Sequence, residues 1–174
     1  MSNIAPLLQW NPSYVLGIPS IDADHLWIVN KINELHDLLH GDQVKDIDLK
    51  VKSLLDLLNE YTQEHFKREE KWMACNHCPL REKHAIVHLQ LVTLLDQWVV
   101  DMHWATGSPD MEGQLLCIIS DFGKWFDHHL RTMDCHIHHY GPTKEISVQY
   151  IDAPDSNQGP QLSLPLEEQT VNKL

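Results

Sequence analysis

Tyr61-Thr62-Gln63-Glu64-His65-Phe66-Lys67-Arg68-Glu69-Glu70 is the stretch on which the fold turns. It contains neither proline nor glycine, and its residues suit a helix interior. Residues four apart on a helix lie about 40° from one another around the axis. A helix here therefore carries the imidazole of His65 and a carboxylate of Glu69 on one face. Upstream, Val51, Leu54, Leu55, Leu58 and Thr62 fall on the same side as His65, so that face points inward. The spacing predicts a helix from near Asp46 that ends before Pro79.

Three more helices follow from the same logic. The first runs from about Ser20 or Asp22 to His40, with Leu26, Val29, Ile32, Leu35 and Leu39 as its apolar stripe and Gly41-Asp42 beyond it. The third covers roughly Leu80 to Thr106, carries His84, Val87, His88, Leu91, Leu94, Leu95 and Trp98 inward, and breaks at Gly107-Ser108-Pro109. The fourth runs from about Met111 to His139 and is stopped by Gly141-Pro142. Short turns between helices of this length imply an all-α, up-down-up-down four-helix bundle. The first twenty residues, with Pro6, Pro12, Gly17 and Pro19, read as an N-terminal arm. Residues 1–140 are expected to form one bundle domain with that arm, and residues 141–174, rich in Pro, Ser, Gln, Asn and Asp, a flexible C-terminal tail.

Bulk properties narrow the functional classes. A net charge of −12 argues against nucleic-acid or anionic-membrane surfaces, which need clustered Lys and Arg. No apolar run is long enough to cross a bilayer, and no basic region leads into an apolar stretch as in a secretory signal. Cys75, Cys78, Cys117 and Cys135 are too irregularly placed for a disulfide framework, so a reducing cytoplasm is expected. The 13 histidines equal Lys and Arg combined, and they direct attention to metal binding.

Seven residues form an ordered set: His25, His65 with Glu69, His84 with His88, and His129 with Asp134. Each predicted helix contributes one group, at a similar depth along the bundle. His36 and His40 share the four-residue spacing but have no matching partners, and they read as solvated surface residues. Five imidazoles and two carboxylates suit a pair of iron ions, because imidazole binds iron and a carboxylate can bridge two metals. His129 and Asp134 are five apart, about 140° on an ideal helix, so the chain must wind irregularly there or the two side chains must approach from different directions.

The words around these residues carry a resemblance. Gly17-Ile18-Pro19-Ser20-Ile21-Asp22-Ala23-Asp24-His25, the Tyr61–Glu70 stretch, and Trp125-Phe126-Asp127-His128-His129-Leu130 resemble the first, second and fourth helices of the bacterial hemerythrins. The resemblance covers about Trp10 to Asp134, and the five-residue separation of His129 and Asp134 belongs to it. It implies that His84, His88 and His129 hold one iron, that His25 and His65 hold the other, and that Glu69, Asp134 and an oxo or hydroxo group bridge the two. The second iron then keeps an open position for dioxygen, and the expected function is reversible dioxygen binding for storage, transport or buffering, without enzymatic turnover. An oxygen or redox sensor signalling to a separate partner is the alternative, and a di-iron peroxide or nitric oxide reductase ranks last. Leu26, Ile28, Leu58, Phe66, Trp72 and Leu91 are candidates for an apolar lining. Two positions depart from the family: Ile137 stands where a Tyr is frequent, and Leu91 where a Phe is common.

Three leftovers remain. Cys75-Asn76-His77-Cys78 and Cys135-His136-Ile137-His138-His139 hold more soft ligands than the centre needs; surface or partly buried thiols without a special role are expected, with a second metal site or a thiol redox switch as the alternative. Ile146, Val148 and Tyr150 alternate over a few residues. Gln161-Leu162-Ser163-Leu164-Pro165-Leu166 resembles the peptide by which several bacterial replication and repair proteins dock onto the sliding clamp, presenting its leucines to an apolar groove.

Overall fold

The computed structural model describes residues 5–40, 47–105 and 110–141, with the side chains of 48 and 103–105 left aside. Four α-helices account for most of it: α1 (Pro19–His40), α2 (Ile47–Cys75), α3 (Arg81–Ala105) and α4 (Met111–Thr132). Consecutive helices pack side by side and α4 closes against α1, as an up-down-up-down bundle requires. No strand occurs among the described residues. The tail from residue 142 on, including Ile146, Val148, Tyr150 and Gln161–Leu166, lies outside them.

Local chemistry sets the helix ends. Pro19 opens α1, where its fixed φ is suited to a first turn and its missing N–H costs nothing. Gly17, at φ 75°, turns the chain into it, and the Asp22 carboxylate accepts the Leu16 and Gly17 amides. At the other end of α2, His77 takes a left-handed φ of 53° and the Cys78 amide donates to the Met73 carbonyl, an end that satisfies an otherwise orphaned acceptor.

Predicted and observed burial agree closely on α2, where Val51, Leu54, Leu55, Leu58, Thr62 and His65 are all buried. Elsewhere the single-residue readings need correction. Leu94 of α3 is 46 % exposed, although its position in the apolar run suggested an inward side chain. Leu26 and Trp72 are only half-buried, and Trp72 packs against a small cluster at the bundle end. His36 is half-buried, not solvated, and its carbonyl accepts from His40 Nδ1 at 2.8 Å. The fourth helix stops at Thr132 instead of His139. At Met133 the backbone shifts to φ −113°, ψ −61°, and Asp134–Tyr140 continue as a tighter 3₁₀ helix.

The core has two parts. The larger cluster fills most of the bundle with Ile28, Ile32, Leu35, Leu58, Phe66, Leu91, Leu95, Phe122 and Phe126. The smaller one, Leu16, Ile21, Met73, Cys78 and Ile137, caps one end. Ile21, Met73 and Ile137 each lie about one turn from His25, Glu69 and Asp134 respectively, so a buried polar layer sits between the two clusters. The N-terminal arm is ordered over its described part: Asn33 of α1 accepts the Leu8 amide at 2.9 Å and donates to its carbonyl at 2.8 Å.

Candidate metal centre

The polar layer consists of the seven sequence-selected residues. His25 (α1), His65 and Glu69 (α2), His84 and His88 (α3), His129 (α4) and Asp134 of the following 3₁₀ helix are each at most 2 % exposed. Their donor atoms fall into two overlapping sets, each within 4.8 Å: Glu69, His84, His88, His129 and Asp134 in one, and His25, His65, Glu69 and Asp134 in the other. Both carboxylates belong to both sets. No other such group of three or more occurs among the described residues, so the extra Cys and His side chains near Cys75 and Cys135 do not assemble one. All four cysteines are free thiols, with Cys78 buried.

The distances describe atoms that aim at shared points more than at one another. Nε2 of His129 lies 3.1 Å from that of His84 and 3.2 Å from that of His88. Metal–imidazole bonds of about 2.1 Å at right angles would set two nitrogens about 3 Å apart. Asp134 Oδ1 is 2.9 Å from Nε2 of both His84 and His129, yet neither contact has the alignment of a hydrogen bond. On the other side, His25 Nε2 lies 3.6 Å from Glu69 Oε1 and 3.6 Å from Asp134 Oδ2, and His65 Nε2 lies 3.7 Å from Glu69 Oε1. Nε2 of His25 and His65 and all four carboxylate oxygens of Glu69 and Asp134 are buried without a hydrogen-bond partner. Such atoms are costly unless something fills the site, and nitrogen and carboxylate donors fit a transition metal.

Three imidazoles are held by groups outside the set. His25 Nδ1 lies 2.8 Å from the Tyr14 carbonyl, which can only accept, so the ring's proton sits on Nδ1 and Nε2 turns its lone pair inward. Asp24 does the same for His65 at 3.4 Å, and Glu70 for His88 at 2.9 Å. Asp24 is 1 % exposed and also accepts from Arg68 Nε at 2.6 Å and Tyr61 OH at 2.7 Å. Tyr14, in the 3₁₀ turn Pro12–Tyr14, is anchored by its own hydroxyl, which donates to Asp127, itself paired with Arg131 at 2.6 Å. Sequence reading passed over Tyr14, Asp24 and Glu70. Asp24 and Glu70 carried a usable signal, since each is an acid directly beside a selected residue. The Tyr14 contact, made by a backbone carbonyl, carried none.

Aromatic rings wall the layer. Phe66 stacks on His88 with centroids 3.8 Å apart, and Trp125 on His129 at 4.6 Å. Phe126 presents its edge to both His25 and His65, at 6.1 and 6.3 Å. Ile28, Leu58, Phe66 and Leu91 of the expected lining are fully or almost fully buried.

Electrostatics follow from this crowding. Burial raises the Glu69 carboxyl, but His65 and the surrounding imidazoles outweigh it and hold it well below its usual range. Burial and the charge of Glu69 push Asp134 up, while His129 and His84 hold it down at about 2. Burial disfavours charge on His84, and Asp134 and Glu69 reverse that, raising it to about 9.

Comparison with known proteins agrees with this geometry. The family model described as Hemerythrin HHE cation binding domain matches residues 16–139. Bacteriohemerythrin of Ralstonia nicotianae is 26 % identical over 129 residues, 74 % of this chain and 85 % of that protein. Bacteriohemerythrin of Pseudomonas aeruginosa (strain PAO1) is 28 % identical over 127 residues, 73 % of this chain and 76 % of its relative. The donor cluster and these matches together support non-haem iron binding.

Two outcomes are expected. In the metal-free protein, His84 has a folded pKa of about 9 against an ordinary 6.5, so its contribution is complete below 6.5 and lost as pH rises through about 9. Asp134, at about 2 against 3.8, contributes above 3.8 and loses its contribution as pH falls towards 2. The melting temperature of metal-free protein should therefore fall between pH 6.5 and about 9, a loss that saturating ferrous iron abolishes because metal binding favours the neutral ring. Asp24→Asn should lower iron affinity roughly 10- to 100-fold in chelator competition while preserving helicity by circular dichroism; an unchanged affinity would remove Asp24 from the role of orienting His65.

Proposed function

Because the chain belongs to the hemerythrin family, we propose that its bundle binds dioxygen reversibly at a di-iron centre, for storage, transport or buffering. The observation that carries this reading is the pair of unequal donor sets sharing Glu69 and Asp134. On this reading, His84, His88 and His129 hold one iron, His25 and His65 the other, and the two carboxylates bridge them together with an oxo or hydroxo group. The set with only two imidazoles leaves room for dioxygen. Two ferrous ions, when bound, supply the electrons and the coordination position that dioxygen needs.

The chain's own residues decide that binding stays reversible. The Tyr14 carbonyl and Asp24 keep the protons of His25 and His65 on Nδ1, so both rings present neutral Nε2 atoms. Five neutral imidazoles against two carboxylates bring less negative charge than the carboxylate-rich sites of ferritin-like bundles, which disfavours higher oxidation states. Phe66, Phe126, Ile28 and Leu58 exclude water from the layer. Thr62, the buried hydroxyl next to His65 and Phe66 along α2, donates to the Leu58 carbonyl at 2.8 Å and is not poised to deliver a proton. This arrangement favours a binder over a peroxide or nitric oxide reductase; a sensor signalling to a separate partner is the second reading.

For location and partners, the proposal is a cytoplasmic protein, supported by four unpaired cysteines; no helix among the described residues is long and apolar enough to cross a membrane. Its further partner is the sliding clamp, engaged through Gln161–Leu166, a reading supported by the order of those six residues alone.

Anaerobic loading with ferrous iron should take up two irons per chain, and admitting oxygen should raise visible charge-transfer bands that vanish when oxygen is removed. His65→Ala or His129→Ala should abolish the bands; a persistent adduct in either variant would end the assignment. Rapid irreversible conversion would favour redox sensing or catalysis. For the clamp, the full chain should bind immobilised bacterial clamp and a chain lacking residues 161–166 should not. Absence of binding by both removes that partner.

A further inference from the structure

We propose that Arg68 is a positioning residue that acts through Asp24: it limits the negative charge reaching His65 and so sets the balance of the centre between ferrous and ferric iron. The inference deepens the reading above and rests on iron being bound there. Asp24 Oδ2 serves two neighbours at once. Arg68 Nε donates to it at 2.6 Å, while His65 Nδ1 stands 3.4 Å away. The tighter contact belongs to the cation, and Tyr61 OH donates to the other oxygen at 2.7 Å. The charge of Asp24 is thus largely matched before it reaches the imidazole.

Helical spacing builds this arrangement. On α2, Arg68 follows His65 by about one turn and follows Tyr61 by about two, which puts it within about 20° of Tyr61 around the axis. Its guanidinium carbon lies 5.2 Å from the Tyr61 ring centroid, and that ring stacks on Trp27 at 3.8 Å. A planar cation is therefore fixed between an aromatic face and a carboxylate. The other orienting contacts differ in charge. Glu70 Oε1 faces His88 Nδ1 at 2.9 Å, and among the described residues no lysine or arginine pairs with Glu70. His25 Nδ1 faces only the neutral Tyr14 carbonyl. The set containing His25 and His65 is thus oriented by one neutral group and one acid matched by a cation. A carboxylate on an imidazole N–H makes the ring more basic, and a more basic ring favours ferric over ferrous iron. Arg68 opposes that shift at His65.

Anaerobic chelator competition, run once with ferrous and once with ferric iron, reads this balance without oxygen chemistry; circular dichroism checks the fold. Arg68→Gln should raise the ratio of ferric to ferrous affinity roughly 10-fold. Arg68→Lys keeps the charge and should stay near the unsubstituted chain. Asp24→Asn should lower the ratio, because Arg68 then stands unmatched, and it carries the test if Arg68→Gln does not fold. Combining Arg68→Gln with Asp24→Asn should bring the ratio back, a cancellation that a packing role would not produce. A ratio unmoved by Arg68→Gln or by Asp24→Asn overturns the proposal, as does one that Arg68→Gln and Arg68→Lys shift alike. An unsubstituted chain that takes up no iron ends the reading of the centre and this inference with it. Two irons per chain with an unmoved ratio end this inference alone.

Discussion

Two carboxylates buried without a hydrogen-bond partner, Glu69 and Asp134, set the terms for the rest of this bundle. Removing a carboxylate from water costs several kcal/mol unless positive charge meets it. Here five imidazoles from four helices converge on the pair, and the two donor sets share both acids. The layer therefore couples α1, α2, α3 and α4 at one depth. It also explains the end of α4: at the helix break at Met133 the chain leaves α-helical winding, and Asp134 Oδ1 stands 2.9 Å from His129 Nε2 despite the five-residue separation.

Around that layer, the structure spends its polar contacts on orientation. Asp24 receives Tyr61 and Arg68 as well as His65, so its carboxylate is held from three sides. The N-terminal arm serves the same end. It is docked by Asn33 through Leu8, its 3₁₀ turn buries Tyr14, and the Tyr14 carbonyl fixes the tautomer of His25. A segment outside the four helices thereby sets the direction of a donor at their centre. The apolar parts divide the remaining labour, with Phe66 and Phe126 against the rings and the Ile21, Met73 and Ile137 cluster closing the bundle end.

What could be read without coordinates follows a physical rule. The spacing of Val51, Leu54, Leu55, Leu58, Thr62 and His65 reports one helix face, and that face is buried throughout. Periodicity failed where a helix carries apolar residues on both of its sides. On α3 it offers no contrast between sides, so Leu94 reads like Leu91 and Leu95 although it faces outward. It failed again at Met133, because a change of winding leaves no mark in hydrophobic spacing, and at His36, whose burial depends on what packs nearby.

By itself, then, the sequence determined four helices and their order, and placed His25, His65, Glu69, His84, His88 and His129 at one level, because helical phase is a local property; Asp134, which follows the end of α4, was legible only through the family resemblance. Only the tertiary structure decided that both carboxylates stand in both donor sets, that Tyr14, Asp24 and Glu70 orient three of the rings, and which side of α3 remains open. Those are distances between segments far apart in the chain, and side-chain packing, not local periodicity, sets them.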